Sequence, residues 1–578
     1  MRAGKQSVRI GGAAGFWGDS ALGARQLLDG GEVDYLVFDY LAELTMSLLA
    51  AARRKQPELG YATDFIEVMR DVLGDAVARG VRVVANAGGI NPQGCAAAVR
   101  ALAAERGWDV RIAVVQGDDV SALLPALRTE GHPLPAQVLS ANAYLGALPI
   151  KAALDGGADV VITGRCVDSA VTLGALMHEF GWSSDDYDRL AGASLAGHLI
   201  ECGCQGSGGL FTDWEAVPDW ANSGYPIVDC RSDGSFVLTK PAGSGGLVCP
   251  AVAAEQLLYE IGDPARYLLP DVVCDFTGVT IVADGAQRVL VQGARGAAPT
   301  PTYKVSATYA DGFRCAAQLT IIGEDAQRKA RRSAEAILER TRAMLARAGM
   351  GDYSATNIEV IGGAFEAVMW LAVAHPARTA LELFAREVAP AGTSWSPGTT
   401  GFGGRPAVSP AIKQFSFLLA KERVQPVVDM PDGSRTVPPI PPGRASAASA
   451  PNSEVAGAAP QPDAGWREVP LIELAWARSG DKGDISNIGV IARNPEDLPL
   501  LGQQLTPEAV AAWLGARVQG TVTRYHLPGI HAFNFVCEQA LGGGGMASLR
   551  HDPLGKGMAQ ILLAMPVSVP DNFTSRRH

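Results

Sequence analysis

The sequence lacks a surplus of positive charge. Its 49 Lys and Arg are outnumbered by 60 Asp and Glu, which leaves a net charge of −11. Non-specific binding of nucleic acid needs a Lys/Arg surplus on the binding face, so we do not expect nucleic acid as a partner. Apolar runs are also short. None approaches the ~18 residues that a membrane-spanning helix needs, so no membrane partner is expected either.

Cysteine is sparse and odd in number, with 9 residues spread over 578. This usage does not fit a secreted disulfide framework, so we expect most of the cysteines to be buried thiols. The N-terminus begins with basic residues but has no apolar signal core. We therefore expect the protein to be cytoplasmic.

What the sequence does contain is typical of a large globular protein. Hydrophobic residues make up 47% of the chain, and its length predicts two or three domains. Strand, polar glycine-containing loop and helix recur between residues 8 and 180. This alternation predicts an α/β domain over residues 1–270, with a mostly parallel sheet and helices on both faces.

One loop stands out, in the stretch GADVVITGRCVDSAVTLG over residues 157–174. A buried strand ending at Thr163 meets a helix predicted to begin at Asp168. Between them, Arg165 and Asp168 would lie at the carboxyl end of the strand, where open α/β sheets bind ligands. We predict that Arg165 binds an anionic substrate group and that Asp168 is catalytic. Alternatively, Asp168 and Ser169 cap the helix while Arg165 pairs with a carboxylate.

The first glycine-rich loop, VRIGGAAGFWGDS, follows a strand predicted over residues 7–10. It is neither a Walker loop nor a GxGxxG fingerprint. Gly12 and Gly15 would let a substrate approach the backbone, whereas Asp19 is a candidate catalytic group that could also cap the next helix. An ordinary tight turn is the alternative.

The next two strand ends carry further candidates. Asp39 and Glu43 follow the second strand as acid/base carboxylates, and we select Glu43 as catalytic. Asn86 and Asn91, in NAGGINP, are predicted to bind substrate through their amides. Asn and Gly also favour ordinary turns, which leaves a structural role open.

Two later loops complete the predicted site. In HLIECGCQGSGG, Cys202 is a candidate catalytic thiol and Ser207 a binding residue. The Cys-x-Cys pair in this stretch has no second cluster of metal-ligating residues at a suitable spacing, which argues against a metal site. In KPAGSGG, Lys240 and Ser244 join a cation to a glycine turn at a helix start, which suits a carboxylate or phosphate group. Alternatively, the first of these loops is a crowded turn of buried small residues. In the second, Lys240 could be a solvated lysine beside a structural turn.

The pattern changes after residue 270. Hairpin-like strands, Tyr303–Thr308 with Phe313–Ile322 among them, and a helix over residues 325–348 predict an antiparallel α+β part over 271–429. Residues 430–465 are rich in Pro, Ala and Ser, which predicts a flexible linker. Residues 466–578 interleave several strands with helices, which predicts a C-terminal ferredoxin-like α+β domain.

Several motifs in this order resemble the acyclic terpene utilisation (AtuA-like) family: GGAAGFWGDS, DYLAELTM, NAGGINPQGC, VITGRCVDSA, ECGCQGSGG and TKPAGSGGLV. The likeness covers nearly all of residues 5–430. The stretches RSGDKGDISNIGV and LPGIHAFNF are similar to the ferredoxin-fold domain that often accompanies this family. The resemblance implies a part in bacterial catabolism of acyclic terpenoids such as citronellol and geraniol, through branched acyl-CoA intermediates. It implies no particular reaction and no catalytic residues.

We therefore expect an enzyme, a lyase or hydratase acting on a small molecule such as a CoA ester or another carboxylated intermediate, without a cofactor. The loops are predicted to converge on one cleft, where Arg165 and Lys240 hold the anionic group. Alternatives are an acyl transferase or thioesterase with Cys202 as nucleophile and His198 as base, and a non-enzymatic assembly subunit. We expect a homo-oligomer in which the C-terminal domain docks on the core.

Overall fold

A computed structural model of the chain describes residues 5–401, 403–445, 465–575 and 577, with the side chains of residues 43 and 44 excepted. Its first part alternates strands with helices. In chain order these are β1 (Ser7–Ala14), α1 (Leu22–Gly30), β2 (Tyr35–Phe38), α2 (Glu43–Lys55), α3 (Asp64–Arg79), β3 (Arg82–Ala85), α4 (Pro92–Arg106), β4 (Ile112–Gln116), α5 (Leu124–Thr129), β5 (Ser140–Ala143), α6 (Leu148–Asp155), β6 (Val160–Thr163), α7 (Ala170–Phe180), α8 (Tyr187–Ile200), β7 (Ile227–Arg231), β8 (Phe236–Thr239) and α9 (Pro250–Leu258).

The middle part is richer in strands. Its elements are β9 (Tyr267–Leu268), β10 (Val273–Asp275), β11 (Thr280–Ala283), β12 (Val289–Gln292), β13 (Arg295–Ala297), β14 (Thr302–Ile322), α10 (Ala326–Arg347), β15 (Ala355–Gly362), β16 (Glu366–His375), α11 (Arg378–Glu387), α12 (Ala391–Ser394), β17 (Thr399–Thr400), β18 (Ser409–Ala420), β19 (Val427–Asp429) and β20 (Arg435–Thr436).

The C-terminal part interleaves strands with short helices. These are β21 (Trp466–Pro470), β22 (Ala475–Lys482), β23 (Ile485–Ala492), α13 (Leu498–Gln504), α14 (Pro507–Leu514), β24 (Val522–Leu527), β25 (Ala532–Cys537), α15 (Met558–Leu563) and β26 (Pro566–Pro570). Strands β22, β23, β25 and β24 form an antiparallel sheet in that order. The predicted ferredoxin-like α+β domain is confirmed.

The described chain builds one mixed sheet of eleven strands, in the order β11-β12-β8-β7-β1-β2-β3-β6-β4-β19-β20. Its five central strands, from β1 to β4, run parallel. The flanking strands pair antiparallel. The α/β class is confirmed, and the parallel strands end at one edge of the sheet, as strands joined by helical crossovers must.

Helices cover both faces of this sheet. Alternate residues of a strand point to opposite faces. Val37 of β2 therefore joins the core under α6, α7 and α8, whereas Leu36 and Phe38 join the core under α1, α3 and α4. Both cores are almost completely removed from solvent.

Two predicted strand boundaries are wrong. Strand β1 does not end at Ile10 but continues to Ala14, because the glycines fit beneath neighbouring groups, Gly11 under Leu27 and Gly12 under Ile200. The predicted hairpin of Tyr303–Thr308 with Phe313–Ile322 is one continuous strand, β14. An irregularity between Ala310 and Phe313 shifts its register, and its partners are β5, β16, β17 and β18.

The sheets also cross two expected domain boundaries. Strands β11 and β12 follow residue 270 yet extend the first sheet through β8. Within the predicted linker, β20 pairs with β19, and Met430 and Ile440 pack against the main core. These apolar side chains anchor the first third of the segment. Residues 446–464 lie outside the described part.

The ferredoxin-like domain packs directly on the first part of the chain. Ile491, Leu527 and Ala532 belong to the same buried cluster as the helices of the α/β unit. Polar contacts reinforce this packing, since Asn487 Nδ2 donates to the Leu258 carbonyl and Asn534 Nδ2 to that of Ile261. The segment that follows α9 is therefore held by strands β23 and β25.

Candidate functional site

Polar side chains follow the ends of three neighbouring parallel strands at one edge of the main sheet. Phe38 of β2 lies opposite Ala85 of β3, which lies opposite Ile162 of β6. The residues that follow, Asp39 and Asn86, are joined by a hydrogen bond from Asn86 Nδ2 to Asp39 Oδ1. The amide oxygen of Asn86 accepts from the Tyr40 backbone N–H at 2.7 Å. Asn86 therefore orients the carboxyl of Asp39.

Arg165 follows the third of these strands and is only 2% exposed. Its Nη1 donates to Asp168 Oδ1 at 2.7 Å and to the Cys166 carbonyl at 2.9 Å. Its guanidinium also stacks on the ring of Tyr144, 4.1 Å from the centroid. Arg165 does pair with a carboxylate, whereas α7 receives no side-chain cap from Ser169.

Asp39 is buried, and burial raises its pKa well above the ordinary value of 3.8. The charge of Asp168 raises the pKa further, while the nearby cation of Arg165 opposes both effects. Glu201 adds to the increase. Asp39 therefore holds its proton at a higher pH than a solvated aspartate, as a general acid or base near neutrality requires.

The end of helix α8 brings a second acid–base pair to this edge. His198 is 2% exposed, and its Nδ1 lies 3.0 Å from Glu201 Oε1. Its Nε2 lies 3.2 Å from the Leu257 carbonyl oxygen. Because a carbonyl oxygen only accepts, Nε2 carries a proton, and a further proton must lie between Nδ1 and Glu201.

The pKa values of this pair agree with a shared proton. Burial has the largest single effect on His198 and lowers its pKa, but the charge of Glu201, the hydrogen bond to it and the charge of Glu260 together raise the pKa above the ordinary 6.5. Burial raises the pKa of Glu201, and His198 opposes that rise. Since both groups favour the protonated form, the proton stays with the pair, where a substrate could take or return it.

The ferredoxin-like domain supplies lysines to the same region. Lys482 Nζ lies 3.1 Å from Glu260 Oε2. Lys556 Nζ donates to the hydroxyl of Tyr259 and to Asp481 Oδ1, the latter at 2.8 Å. These contacts join two distant parts of the sequence.

Glu260 is held in an unusual backbone conformation, with φ of +59°. Its N–H donates to Asn487 Oδ1 at 2.9 Å, so the docked domain maintains this conformation. Non-glycine residues in the left-handed region are uncommon and concentrate at functional sites.

Tyr267 interacts electrostatically both with carboxylates of the first part of the chain and with Lys482 of the ferredoxin-like domain. Burial raises its pKa, Lys482 opposes the rise, and the carboxylates of Glu201 and Asp168 add to it. We call the whole set the junction cluster, because it lies where the sheet edge, the end of α8 and the C-terminal domain meet. Its members are Asp39, Arg165, Asp168, His198, Glu201, Cys202, Tyr259, Glu260, Tyr267, Asp481, Lys482 and Lys556.

Cys202 lies in the junction cluster beside Glu201. Burial first, and then the charges of Glu201 and Glu260, raise its pKa well above 9.0. His198 faces Glu201 and the Leu257 carbonyl and supplies no base to the thiol. The local charges therefore favour the neutral thiol, which is the poorer nucleophile.

The first glycine-rich loop packs against the end of α8. A Cβ on Gly15 would lie 2.6 Å from the Cys202 carbonyl carbon, and a Cβ on Gly12 would meet the Ile200 carbonyl. The Asp19 carboxylate accepts from the Gly15 N–H and from the Tyr225 hydroxyl, each at 2.9 Å, and does not cap α1. These residues place the end of α8 next to Asp39.

Other predicted residues are committed to nearby backbone groups. Asn91 caps α4 by accepting from the Gly94 N–H at 3.0 Å, and its Nδ2 donates to the Leu59 carbonyl at 2.9 Å. Ser207 Oγ donates to the Gly224 and Cys204 carbonyls. Glu43 begins α2, but its side chain lies outside the described part of the chain.

Lys240 and Ser244 lie at the same edge of the sheet as Arg165 but not beside it. Lys240 Nζ donates to the Ser244 carbonyl at 2.6 Å, and Ser244 Oγ to the Pro241 carbonyl at 2.6 Å. Four strands separate β8 from β6, which at the usual strand spacing is about 24 Å. The predicted pairing of Lys240 with Arg165 in one cleft is therefore wrong.

Sequence reasoning did not select the groups that close the cluster. The sequence suggests His198 only as a base for Cys202, and Tyr259, Glu260 and Tyr267 have no local signal. Lys482 did have one, because RSGDKGD packs four charges around two glycines, and such dense charge, if buried, needs partners or a ligand.

Within the described residues, no helix is long and apolar enough to cross a membrane. No group of three or more His, Cys, Asp or Glu side chains in that part of the chain is arranged to hold a metal ion. The charged groups of the junction cluster instead pair with one another.

The fold and the site define an α/β protein whose buried acid–base cluster is closed by a fused ferredoxin-like domain. Comparison with known families agrees with this division. Residues 8–430 match the acyclic terpene utilisation family protein AtuA, and residues 469–568 match the AtuA ferredoxin-like domain. The chain belongs to the AtuA family, which is associated with acyclic terpene utilisation. No curated protein matches it significantly.

Proposed function

We propose that this protein is an enzyme of acyclic terpenoid catabolism, a lyase or hydratase that acts on an acyl-CoA or another carboxylated intermediate. Both reaction types move a proton to or from a position near a carbonyl group. They need a base, an acid and a cation that stabilises negative charge developing on oxygen. The junction cluster offers groups of each kind.

The observation that carries the proposal is the proximity of two buried proton-holding groups, Asp39 and the His198–Glu201 pair. Buried carboxyl groups with raised pKa values serve as general acids and bases near neutral pH. Arg165 and Lys482 are the nearby cations, one from the sheet edge and one from the ferredoxin-like domain. They are suited to hold a carboxylate or a thioester oxygen.

A second candidate function is a non-enzymatic assembly subunit. The observation in its favour is that the charged groups of the cluster are already paired, as in Lys556 with Asp481. Such pairs can serve docking alone. The acyl transferase alternative has less support, because the environment of Cys202 favours the thiol.

Proton exchange tests the enzymatic proposal. The protein is incubated in D₂O with branched acyl-CoA esters, and deuterium uptake next to the carbonyl is followed by mass spectrometry. We expect uptake with the wild type and a decrease of about 100-fold or more with Asp39→Asn, because a positioned base contributes at least that much. Asp284→Asn, in an exposed hairpin turn, is the control.

Two results would favour the assembly subunit instead: no uptake with any ester, or equal uptake by the wild type and Asp39→Asn. Thermal unfolding supplies a separate readout. Stabilisation by CoA esters but not by the free acids would support an acyl-CoA substrate, since a ligand that binds only the folded state raises its stability.

A further inference from the structure

Helix α2 connects the junction cluster to a surface groove. The helix begins four residues after Asp39 and ends at Lys55. Its thirteen residues span about 20 Å. At its far end lies a cavity of about 310 Å³, which we call the α2 groove and which is lined in part by Arg53, Arg54, Ile90, Asp119, Leu139 and Asn142.

The α2 groove carries positive charge in a protein with a net charge of −11. Arg53, Arg54 and Lys55 are consecutive and exposed. Arg53 Nη1 donates to the Ile90 carbonyl, which holds this guanidinium against the groove wall. Within the described residues, Arg54 and Lys55 form no ion pair with a carboxylate, in contrast to many arginines of this chain.

One carboxylate also lines the groove. Asp119 Oδ1 accepts from the Ser121 N–H at 2.9 Å and so is engaged in its own turn. Basic residues at a helix C-terminus also complement the helix dipole, but that effect requires neither a groove nor two arginines lining it. The two guanidinium groups of Arg53 and Arg54 outnumber the one carboxylate in the groove lining, and guanidinium groups are suited to bind phosphate oxygens.

The floor of the groove is linked to the junction cluster. Asn142 Nδ2 donates to Asp118 Oδ2 at 2.8 Å, and the same oxygen accepts from the Arg165 N–H at 2.9 Å. Two hydrogen bonds thus separate the groove from the Arg165 loop. Tyr144, two residues beyond Asn142, is the ring on which Arg165 stacks.

We propose that the α2 groove binds the phosphate-bearing end of the substrate, while the reacting end extends along α2 to the junction cluster. The ligand class is an organic molecule with phosphate groups at one end and a carbonyl or carboxylate group at the other. The position of the reacting end rests on the proposed function. Phosphate binding by the groove does not.

Binding measurements test this inference with coenzyme A and inorganic pyrophosphate as probes. Calorimetric titration of the full-length protein should detect both, with affinities that fall as salt increases. Arg54→Glu should weaken each about tenfold or more, since it replaces a charge-assisted partner by a repelling charge. Arg54 is exposed, and an unchanged melting temperature would show that the variant folds.

A second basic groove provides the matched control. Lys329, Arg332 and Trp395 line a cavity of about 400 Å³ beside α10. Arg332→Glu makes the same charge change there and should leave both affinities unchanged. Wild-type affinity in Arg54→Glu, loss of binding in Arg332→Glu, or no binding of either probe by the wild type would each overturn the inference.

The outcomes also separate this inference from the proposed function. If Asp39→Asn abolishes proton exchange while Arg54→Glu binds coenzyme A normally, the groove assignment fails and the enzymatic proposal stands. If Arg54→Glu loses both probes but the wild type exchanges no proton, the groove assignment stands and the enzymatic proposal fails.

Discussion

Asp118 lies beneath the Arg165 loop and is buried. Burial raises its pKa from 3.8 to about 6, although the Arg165 N–H and the Asn142 amide donate to it and partly oppose the rise. The folded protein therefore binds a proton here more readily than the unfolded chain does. Stability from this group is complete below pH 3.8 and is lost as the pH rises through 6.

Asp118→Asn tests this pH dependence. We expect the stability of the wild type relative to the variant to fall by about 2 kcal/mol between pH 4 and pH 7, because each pKa unit corresponds to about 1.4 kcal/mol and part of the full effect is already lost at pH 4. Melting temperatures of both proteins across this range provide the measurement. Parallel pH profiles would contradict the assignment.

Cys202 is expected to react slowly. Its pKa is raised well above 9.0 by burial and neighbouring carboxylates, and only the thiolate reacts quickly with alkylating agents. Its modification by iodoacetamide should therefore keep accelerating with pH to pH 9 and beyond. Peptide mapping by mass spectrometry gives the rate at this residue.

A plateau of the Cys202 rate below pH 8 would reveal a stabilised thiolate. That outcome would restore the acyl transferase alternative, in which the thiol attacks a thioester. Cys202→Ser confirms the peptide assignment.

At the level of elements, the contact between the loop that follows β1 and the segment that follows α8 sets the geometry of the cluster. A Cβ on Gly15 would lie 2.6 Å from the Cys202 carbonyl carbon and 2.7 Å from the Gly203 nitrogen. Both are backbone atoms, so a rotamer change cannot relieve the clash. Gly15→Ala should lower the free energy of unfolding by about 1–3 kcal/mol.

Gly363→Ala is the matched control for Gly15→Ala. No heavy atom lies within 4 Å of its Cβ position, and its φ is outside the left-handed region. Thermal unfolding should show a clear decrease for Gly15→Ala and little change for Gly363→Ala. Equal melting temperatures would mean that the two elements have room to separate.

At the level of the whole molecule, buried ion pairs hold the two domains together. Arg478 Nη2 lies 3.1 Å from Glu255 Oε2, with side chains 4% and 0% exposed. Arg493 makes two hydrogen bonds of 2.6 Å to the carboxylate of Asp213. Both pairs join the ferredoxin-like domain to the first part of the chain.

Arg478→Met would leave Glu255 buried without its cation. We expect a loss of about 3–5 kcal/mol of stability, because an unpaired buried charge is costly, and partial recovery in Arg478→Met/Glu255→Leu. Thermal unfolding of the single and double variants measures both effects.

The exposed pair of Arg328 with Asp325, with side chains 81% and 51% exposed, supplies the comparison for Arg478→Met. Arg328→Met should cost less than about 1 kcal/mol. Similar losses at the two sites would show that burial of the Arg478 pair has little energetic importance.

Much of the local structure was predictable from the sequence. The sequence predicts helices over residues 64–79 and 507–514, and α3 and α14 have these bounds, because their periodic apolar residues and flanking Gly or Pro define them locally. Strand β14 was not predictable. The pair Asp311-Gly312 looks like a turn, but β14 passes through it with a register shift and pairs on either side of it.

Part of the junction cluster was also predictable. Asp39 and Arg165 follow buried strands, as does Asn86, which orients Asp39, and parallel strands end at one edge of a sheet. The rest was not, because Glu260 and Lys482 are far apart in sequence and neither has a local signal for the other. Asn91, which caps α4, shows a different difficulty, since a helix cap and a substrate-binding amide look alike in sequence.

By itself, the sequence determined the alternation of strands and helices, the membership of the AtuA family and the set of polar residues at the strand ends. Periodicity and turn chemistry act over a few residues and can be read locally. Only the tertiary structure decided the strand order, which separates Lys240 from Arg165 and brings Lys482 to Glu260. Such contacts depend on how distant surfaces pack, and no short stretch of sequence encodes that packing.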